Sequence, residues 1–405
     1  MDLKKLLGEI GIENSFYEHI APGWDASVAT VPEKIGFLEK EEIRENMRWC
    51  DLNSQYFNEL ERIAADIRTN LHLKAICWHC FRQLYFQRDI PHFSSWPQVH
   101  PFPSMYLLIA LAMVPLVRRK HVEMRIEEEI TRSTCHQVKC FCENHINLTK
   151  APGIIVQQLY WLRHYVDGKL FRLGRMEYRL ETLKNFGKVF QNKKSGQLTV
   201  FSPPGVDYNK NGLVALKDQE AVMWQSIYRE TEHKAVGNPV SPYGYALNKE
   251  VELSLEDWEC VLKEGDLFLD MHIPSGGGMT PEACIDSMRK AVVFFDRHFP
   301  DQTSRAIMCR SWIFNNQFET RLPDSNLTKL MREVYLFPVT SNGRDGMFFV
   351  FGKEFDDLSQ APRDTRLQRA MLDILEKEPL RNGGMFILKQ DLPRFGSQYY
   401  RTSGE

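Results

Sequence analysis

The stretch LFLDMHIPSGGGMTPEACIDSMRKAVVFF, from Leu267 to Phe295, joins an apolar run to a helical pattern through three consecutive glycines. Its first residues are mostly apolar, which predicts a strand at a central position in a sheet. After the glycines, Thr280 is a good N-cap and Pro281 suits the first helical position. The stretch therefore predicts a strand, a glycine loop and a helix in direct succession.

Two interpretations of Gly276, Gly277 and Gly278 are open. In the first, they only make a tight connection between the strand and the helix. In the second, their backbone N–H groups approach a ligand without hindrance from a Cβ, and the helix N-terminus supplies further unpaired donors. An anionic group such as a pyrophosphate then binds there. The run lacks the order of a dinucleotide-binding or Walker loop, so composition alone does not decide between the two.

The chain has the composition of an ordinary globular protein of two or three domains, with 405 residues, 43% hydrophobic and 26% charged. Its formal net charge of −2 gives no reason to expect nucleic acid or an anionic membrane as a partner. The N-terminal segment is charged throughout and lacks the apolar region of a signal peptide. The longest apolar run, Met105–Val117, is shorter than the roughly 20 residues of a membrane span. We therefore expect a cytoplasmic protein with a core helix at this run, and leave open whether it forms a homo-oligomer.

Nine dispersed cysteines and the lack of an export signal favour reduced thiols in a cytoplasm. Cysteine and histidine cluster in two segments, CWHC at 77–80 and CHQVKCFCENH at 135–145. Such side chains bind zinc in other proteins, but the second segment has no usual structural zinc spacing and the first lies within a helical pattern. We expect buried cysteines and no metal, with a metal-dependent protein as the minor alternative.

The sequence pattern changes near residue 150. Residues 1–150 have helical periodicity, whereas residues 151–405 contain period-two segments, turns and a few helices. The alternation in MEYRL predicts a half-buried strand, while KVFQNKKSGQLTVF and LFPVTSNGRDGMFFVFG each predict a hairpin. Because strand and helix alternate only in part, we expect an α+β fold. A helical N-terminal domain precedes a mixed, largely antiparallel sheet with flanking helices.

Three segments of the second half, RLGRMEYRL, GDLFLDMHIPSGGGMTPEAC and MCRSWIF, resemble a bacterial group of GNAT-like acyltransferases. In this group a helical N-acyltransferase-type N-terminal domain, here 1–150, precedes a GNAT-like acyl-CoA-binding domain, here 151–405. The resemblance covers most of the chain. It implies acyl-CoA, and acetyl-CoA above all, as cosubstrate, a small-molecule acceptor and no metal. The pyrophosphate loop of the superfamily normally begins with Gln or Arg, and this chain lacks that residue.

The resemblance also implies a set of site residues. The strands at 267–273 and 305–314 are expected to splay apart and admit the thioester. The residues implied in binding the CoA diphosphate and arm are Ser275, Gly276, Gly277, Gly278, Met279, Thr280 and Asn315. The residues implied in catalysis are His272 as the base, Tyr335 as the acid that protonates the thiolate, and Glu177 facing the acceptor. Arg175, two residues before Glu177, is also a candidate to face the acceptor.

Each of these side chains also has a purely structural interpretation. These interpretations are a hydrogen-bonded structural histidine for His272, a core aromatic for Tyr335, a chain turn for Asn315 and Asn316, and solvated strand residues for Arg175 and Glu177.

Two hypotheses of function follow from the resemblance. The first is an enzyme that moves an acyl group, expected to be acetyl, from CoA to an amine or hydroxyl of a small acceptor by direct attack. The second is a catalytically inactive GNAT-like protein that binds CoA or has a regulatory role.

Overall fold

The computed structural model describes residues 2–87, 96–355 and 357–402, and the chain forms two compact units. The first unit runs to Leu173 and also includes Pro274–Gly276. The second unit comprises Gly174–Ile273 and the chain from Gly277 onward. Residues 89–95, within the proline-rich segment that the sequence marks as a loop, lie outside the described residues.

The first unit is helical. Its described residues form twelve α-helices and one short strand: α1 Leu3–Glu9, α2 Tyr17–Ile20, α3 Trp24–Val28, α4 Lys40–Trp49, α5 Phe57–Thr69, α6 Leu71–Tyr85, α7 Phe102–Leu111, α8 Met113–Glu123, α9 Glu128–Cys135, α10 Gln137–Thr149, α11 Val156–Leu159, α12 Leu162–Val166 and β1 Phe171–Leu173.

A capping residue marks the boundary between two helices of the first unit. Asn70 lies between α5 and α6, and its side chain accepts hydrogen bonds from the N–H groups of His72 (2.9 Å) and Leu73 (3.1 Å). This N-cap favours a new helix start at Leu71 and separates two helices that periodicity alone does not distinguish.

The most apolar segment of the chain is a core element of the first unit. Phe102–Glu123 is long and apolar enough to cross a membrane by length and composition, but 72% of its most apolar window is buried inside the protein. Every residue of α7 except Pro103 is buried. This burial is what a core helix requires, because contacts on all sides replace the polar face of a surface helix.

The second unit combines several sheets with flanking helices. Its strands are β2 Met176–Thr182, β3 Lys188–Asn192, β4 Leu198–Phe201, β5 Asp207–Tyr208, β6 Trp224–Gln225, β7 Tyr228–Glu230, β8 Lys234–Gly237, β9 Pro239–Ser241, β10 Tyr245–Ala246, β11 Val251–Ser254, β12 Trp258–Leu262, β13 Leu267–His272, β14 Ala306–Ser311, β15 Tyr335–Pro338 and β16 Gly383–Leu388. Its helices are α13 Pro281–His298, α14 Phe318–Arg321, α15 Asn326–Glu333, α16 Met347–Phe351, α17 Arg366–Leu375 and α18 Tyr399–Thr402.

The larger sheet of this unit has the strand order β2-β13-β14-β16-β15. Only β13 and β14 run parallel, while β2, β16 and β15 pair antiparallel with their neighbours. The predicted α+β fold with a mixed, largely antiparallel sheet is therefore confirmed. Residues 183–266 form an insertion between two neighbouring strands of this sheet, with a five-stranded sheet of order β10-β9-β4-β3-β12 and two smaller sheets.

Helix α13 covers one face of the larger sheet. The Oγ of Ser287 accepts hydrogen bonds from the Met176 N–H (3.0 Å) and from the Tyr178 hydroxyl (3.1 Å), both on β2. Its buried side includes Cys284, Met288 and other apolar residues at helical spacing. The predicted order of strand, glycine loop and helix is confirmed.

Two predicted hairpins had different outcomes. The first is confirmed, since β3 and β4 pair antiparallel around a turn with Gly196 at φ 74°. The second is wrong, because β15 ends at Pro338 and the run MFFVF forms the short helix α16. β15 pairs instead with β16, the last strand of the chain. A short apolar run between turn residues fits a strand or a buried helix equally well, and the distant partner decides between them.

Gly383 on β16 offers a test of sheet packing. A Cβ at this position would collide with the carbonyl oxygen of Phe314, so Gly383→Ala should lower the free energy of unfolding by about 3 kcal/mol. Gly278→Ala is the matched control, because the nearest atom to its added Cβ is 4.0 Å away, and should change stability by less than about 0.5 kcal/mol. Urea unfolding of the two variants measures both values, and equal stability would contradict the packing described.

Candidate active site

The centre of the larger sheet opens where β13 and β14 stop pairing with each other. Their parallel register covers Phe268–Asp270 against Ala306–Met308. Beyond it, β13 stays paired with β2 as far as His272, and β14 stays paired with β16 as far as Ser311. Each strand follows its outer neighbour, so the two part, which is the splay predicted from the sequence.

Strand register places the polar side chains near this opening on one face. His272 is opposite Glu177, and Asp270 is opposite Arg179. Residues two apart on a strand share a face, and directly opposite residues have Cβ atoms roughly 4.5–5.5 Å apart. These four side chains therefore share the face opposite to Tyr178, whose hydroxyl contacts α13.

Asp270 connects His272 to Arg179. Its Oδ2 accepts a hydrogen bond from Nε2 of His272 at 2.9 Å. The same oxygen accepts from Arg179 Nε at 3.0 Å and Nη2 at 2.9 Å. The side chain of Asp270 is 18% exposed and that of His272 is 26% exposed. A mostly buried carboxylate thus holds a histidine that solvent can still reach.

The protonation of Asp270 follows from these contacts. Burial alone would raise the pKa of its carboxyl group, but the hydrogen bond from His272 and the charge of Arg179 outweigh burial and hold that pKa below its usual value. Asp270 is therefore an anion at neutral pH. An anionic acceptor requires the proton of His272 to lie on Nε2, which fixes the tautomer of the neutral ring.

The N-terminus of α13 follows β13 after the glycine loop. The Oγ1 of Thr280 accepts from the Ala283 N–H at 3.3 Å, and Pro281 and Glu282 occupy the first turn. The two glycines before it adopt the left-handed region, Gly276 at φ 78° and Gly277 at φ 67°. A left-handed backbone is rarely tolerated by other residues, which explains glycine at these two positions.

Arg175 contacts the glycine loop rather than standing in solvent. Its Nε donates a hydrogen bond to the carbonyl of Gly278 at 2.9 Å, and a Cβ on Gly277 would lie 3.4 Å from the same nitrogen. The guanidinium therefore adds a positive charge beside the exposed glycines and the positive end of the α13 dipole. The sequence interpretation assigned Arg175 to the acceptor or to solvent and did not foresee this position.

The loop is divided between the two units. Pro274–Gly276 belong to the first unit, where the carbonyl of Ser275 accepts a weak hydrogen bond from the Cys140 thiol, with a sulfur–oxygen distance of 3.7 Å. Gly277, Gly278 and Met279 belong to the second unit with α13. The diphosphate role of these residues stays a prediction.

Tyr335 is not brought together with His272. It lies on β15, three strands from β13, which corresponds to about 14 Å at the usual strand spacing. Its side chain is buried, and its hydroxyl donates to the carbonyl of Val240 at 2.5 Å. Burial also raises the pKa of this phenol well above its usual value. The acid role stays a prediction, and the contacts observed are those of a core tyrosine.

Asn315 and Asn316 shape the chain after β14. The Nδ2 of Asn315 donates to Gln317 Oε1 at 2.7 Å, and its Oδ1 accepts from the Gln317 N–H at 3.1 Å. Asn316 Nδ2 donates to the carbonyls of Tyr243 (3.2 Å) and Gly244 (3.3 Å). These contacts are those of a turn, and the cofactor-binding role of Asn315 stays a prediction.

Asp270 and Arg179 are the two residues of the cluster that sequence reasoning missed. A signal for the first was present, because Asp270 interrupts an apolar strand two residues before His272, and that spacing places both on one face. No comparable signal identifies Arg179, because its position depends on pairing across the 183–266 insertion.

The cysteine and histidine segments do not form a metal centre in the part of the chain that the structure describes, where no group of three or more potential ligands occurs. Burial raises the pKa of Cys135 to about 12 and that of Cys142 to about 11. The metal-dependent alternative therefore finds no ligand cluster among the described residues.

Comparison with known families agrees with the geometry. The chain matches the N-acyltransferase N-terminal domain over residues 41–168 and the GNAT-like C-terminal domain over residues 170–385. The fold and the two matches define a GNAT-like acyltransferase. The chain belongs to the family of the GNAT-like C-terminal domain, whose match covers more than half of its residues. The resemblance predicted from the sequence is confirmed.

Solved structures support the same fold. An acyltransferase in complex with decanoyl-CoA and teicoplanin is 19% identical with a TM-score of 0.63, over 96% of this chain and 99% of that one. A mutant acyltransferase in complex with octanoyl-CoA is 20% identical with a TM-score of 0.61 and the same coverage. An acyltransferase in complex with CoA and 10C-teicoplanin is 19% identical with a TM-score of 0.63, over 96% of this chain and 99% of that one. No curated protein matches the sequence significantly.

The Asp270 contacts predict a pH-dependent contribution to stability. Asp270→Asn should lower the free energy of unfolding by about 2 kcal/mol at pH 7, because hydrogen bonds from charged donors are lost. A lowered folded-state pKa means that this contribution is present above the unfolded value near 3.9 and is lost as pH falls through the folded value.

Urea unfolding of wild type and variant between pH 7 and pH 3 measures the difference, which should shrink below about pH 4. Asp301→Asn, at an exposed loop position, is the control and should differ from wild type by less than about 0.5 kcal/mol throughout. A difference for Asp270→Asn that is independent of pH would contradict the ionic contacts.

Proposed function

We propose that the protein transfers an acyl group from acyl-CoA to an amine or hydroxyl of a small acceptor by direct attack. The observation that carries the proposal is the Asp270–His272 pair at the end of β13, where β13 and β14 part. A histidine oriented by a carboxylate is a common form of general base. His272 lies at the end of β13, beside the opening between β13 and β14, which are the only parallel neighbours in the described part of the larger sheet.

His272 accepts a proton from the attacking N–H or O–H group while that atom forms a bond to the thioester carbonyl carbon. The C–S bond then breaks, the acyl group stays on the acceptor, and the CoA thiolate takes up a proton. Because Asp270 accepts from Nε2, the lone pair of neutral His272 lies on Nδ1. The hydrogen bond to the carboxylate also holds the ring in one orientation while the proton is transferred.

The glycine loop supports the binding of the CoA diphosphate. Gly277 and Gly278 precede a capped helix N-terminus, where backbone N–H groups and the helix dipole favour an anion. Arg175 holds the carbonyl of Gly278 and places a full positive charge at the same loop. We propose that this arginine supplies the side-chain N–H donors that the superfamily loop normally carries in its leading Gln or Arg.

The length of the acyl chain is the finer part of the proposal. The sequence resemblance leads to acetyl, whereas the similar acyltransferases were crystallised with octanoyl- and decanoyl-CoA. Thiol release from acetyl-, octanoyl- and decanoyl-CoA with a panel of amines and alcohols decides among them. If acetyl-CoA is the fastest donor, the expectation of an acetyl group stands. If octanoyl- or decanoyl-CoA is faster, a long-chain acyl group replaces it.

The same assay separates the enzyme from a protein that only binds CoA. If CoA raises the melting temperature but no donor and acceptor pair releases thiol, the hypothesis of a protein that only binds CoA replaces that of an enzyme.

We also propose a cytoplasmic location. All nine cysteines are free thiols, which supports this location because a reducing compartment maintains them.

His272→Ala should lower kcat by about 100- to 10,000-fold, because a general base contributes a rate factor of that size. Binding of acyl-CoA, measured by calorimetry, should change little. His233→Ala, in an exposed loop of the insertion, is the matched control and should keep wild-type activity. Equal activity of the two variants would remove His272 from the mechanism.

Gly277→Ala tests the diphosphate loop against a glycine of similar backbone strain. Gly265 is also left-handed, at φ 92°, and has no neighbour within 4 Å of an added Cβ. Both alanine variants should lose about 1 kcal/mol of stability. Only Gly277→Ala should raise KM for acyl-CoA, by about tenfold, since a Cβ in the loop hinders the approach of the proposed diphosphate to the backbone N–H groups. Parallel changes in KM would show that strain alone is responsible.

A further inference from the structure

A cavity of about 510 Å³ lies within the second unit, between the larger sheet and the insertion. One wall comes from the larger sheet, with Arg310 on β14 and Phe337 on β15. The other wall comes from the insertion, with Phe186 and Phe201 among its residues. Neither the His272 cluster nor the glycine loop supplies a lining residue, so the cavity is a separate feature of the same unit.

The walls suit a small organic molecule with an apolar body. Aromatic rings dominate one side, where Phe186 meets Phe337 edge-on with ring centroids 5.0 Å apart. Apart from Arg310, the polar side chains of the lining are neutral, among them Asn185, Asn382, Ser202 and Thr340. A concave site that combines apolar walls with placed polar groups is the usual form of a ligand pocket.

Eighteen described residues line the cavity, and among them Arg310 alone carries a charge. Its Nη2 donates to the carbonyl of Lys184 at 3.1 Å, which uses one of the five guanidinium donors. Of the ion pairs found among the described residues, none includes Arg310. The nearby carboxylate of Asp270 is already bound by Arg179 and His272. A guanidinium in this setting attracts an anionic ligand.

Register relates this cation to the candidate base. Arg310 lies two residues after Met308, so the two side chains share a face of β14. Met308 is directly opposite Asp270 in the parallel register. Arg310 therefore lies on the same face as Asp270 and His272, one strand away, and on the face opposite to α13.

We propose that this cavity binds the acceptor, and that the acceptor is a small molecule with a carboxylate beside an aromatic or branched apolar body. The carboxylate pairs with Arg310 in a bidentate manner, and the apolar body packs on Phe186 and Phe337. An acyl chain matches the rings but not the guanidinium, so the cation favours an anionic acceptor over a cavity for the acyl group. The identity as acceptor rests on the proposed function, whereas binding of the anion does not.

Calorimetry with phenylacetate as probe tests the binding, using the full-length protein. Phenylacetate should bind the wild type and should bind Arg310→Gln at least tenfold more weakly, because a charge-assisted contact is lost. Arg289→Gln, on the exposed side of α13, is the matched control and should bind as wild type does. The neutral isostere 2-phenylacetamide should bind wild type and Arg310→Gln alike. No binding of phenylacetate to the wild type, or equal binding to both arginine variants, overturns the proposal.

A second variant tests the position of the site without removing the charge. Thr340→Trp fills the cavity from an exposed position and should abolish phenylacetate binding while Arg310 remains. Unchanged binding to Thr340→Trp overturns the cavity as the site. Tighter binding of phenyl phosphate than of phenylacetate overturns the carboxylate in favour of a phosphate.

Titration with decanoyl-CoA distinguishes acceptor from cosubstrate. Its affinity should be the same for wild type, Arg310→Gln and Thr340→Trp, and a loss in either variant would assign the cavity to CoA and overturn the proposal. If no acyl transfer occurs with any donor but phenylacetate binding follows the expected pattern, the proposed function fails while the anion site stands.

Discussion

The second unit depends on one constraint, the short parallel pairing of β13 with β14. Both strands are held more firmly by their outer neighbours, β13 by β2 and β14 by β16, than by each other. After Asp270 and Met308 each strand therefore follows its own partner. Backbone groups that would have bonded across the sheet are left at the opening, where a ligand or solvent must satisfy them. An opening of this kind in the middle of a sheet gives an extended thioester a place to lie.

The two faces of the sheet then take different roles. Helix α13 packs on one face through Ser287, Met288 and Cys284. The glycine loop precedes its N-terminus, and Arg175, next to β2 in the chain, donates to the carbonyl of Gly278 in that loop. The period-two geometry of strands sends Asp270, His272 and their partners on β2 to the other face. The glycine loop thus lies at the start of the helix on one face, and the Asp270–His272 pair lies on the other. Both are near the end of β13, where the sheet opens, so the proposed diphosphate site and the proposed base can serve one thioester.

Local signals made part of this arrangement predictable. The strand, glycine loop and α13 were foreseen because an N-cap, a proline and an apolar face act within a few residues. The pairing of Asp270 with Arg179 was not, because β2 and β13 are separated by the insertion and register is decided by the whole sheet. The hairpin expected at 336–352 failed for the same reason, since β15 finds its partner in β16. The contact of Arg175 with Gly278 was not foreseen either, because nothing in the local sequence indicates a hydrogen bond to a residue 103 positions away.

The insertion at 183–266 explains how the chemistry and the choice of acceptor can be separated. The proposed base His272 and its carboxylate partner Asp270 lie on β13 of the larger sheet, where a change of register by one residue would move every side chain to the other face. The second wall of the proposed acceptor cavity comes from loops and short strands of the insertion, including Phe186 and Phe201. Substitutions there alter the shape of the cavity without shifting β13. Arg310 is the exception, because it is both a strand residue and a wall of the cavity, so its charge is tied to the sheet that positions His272.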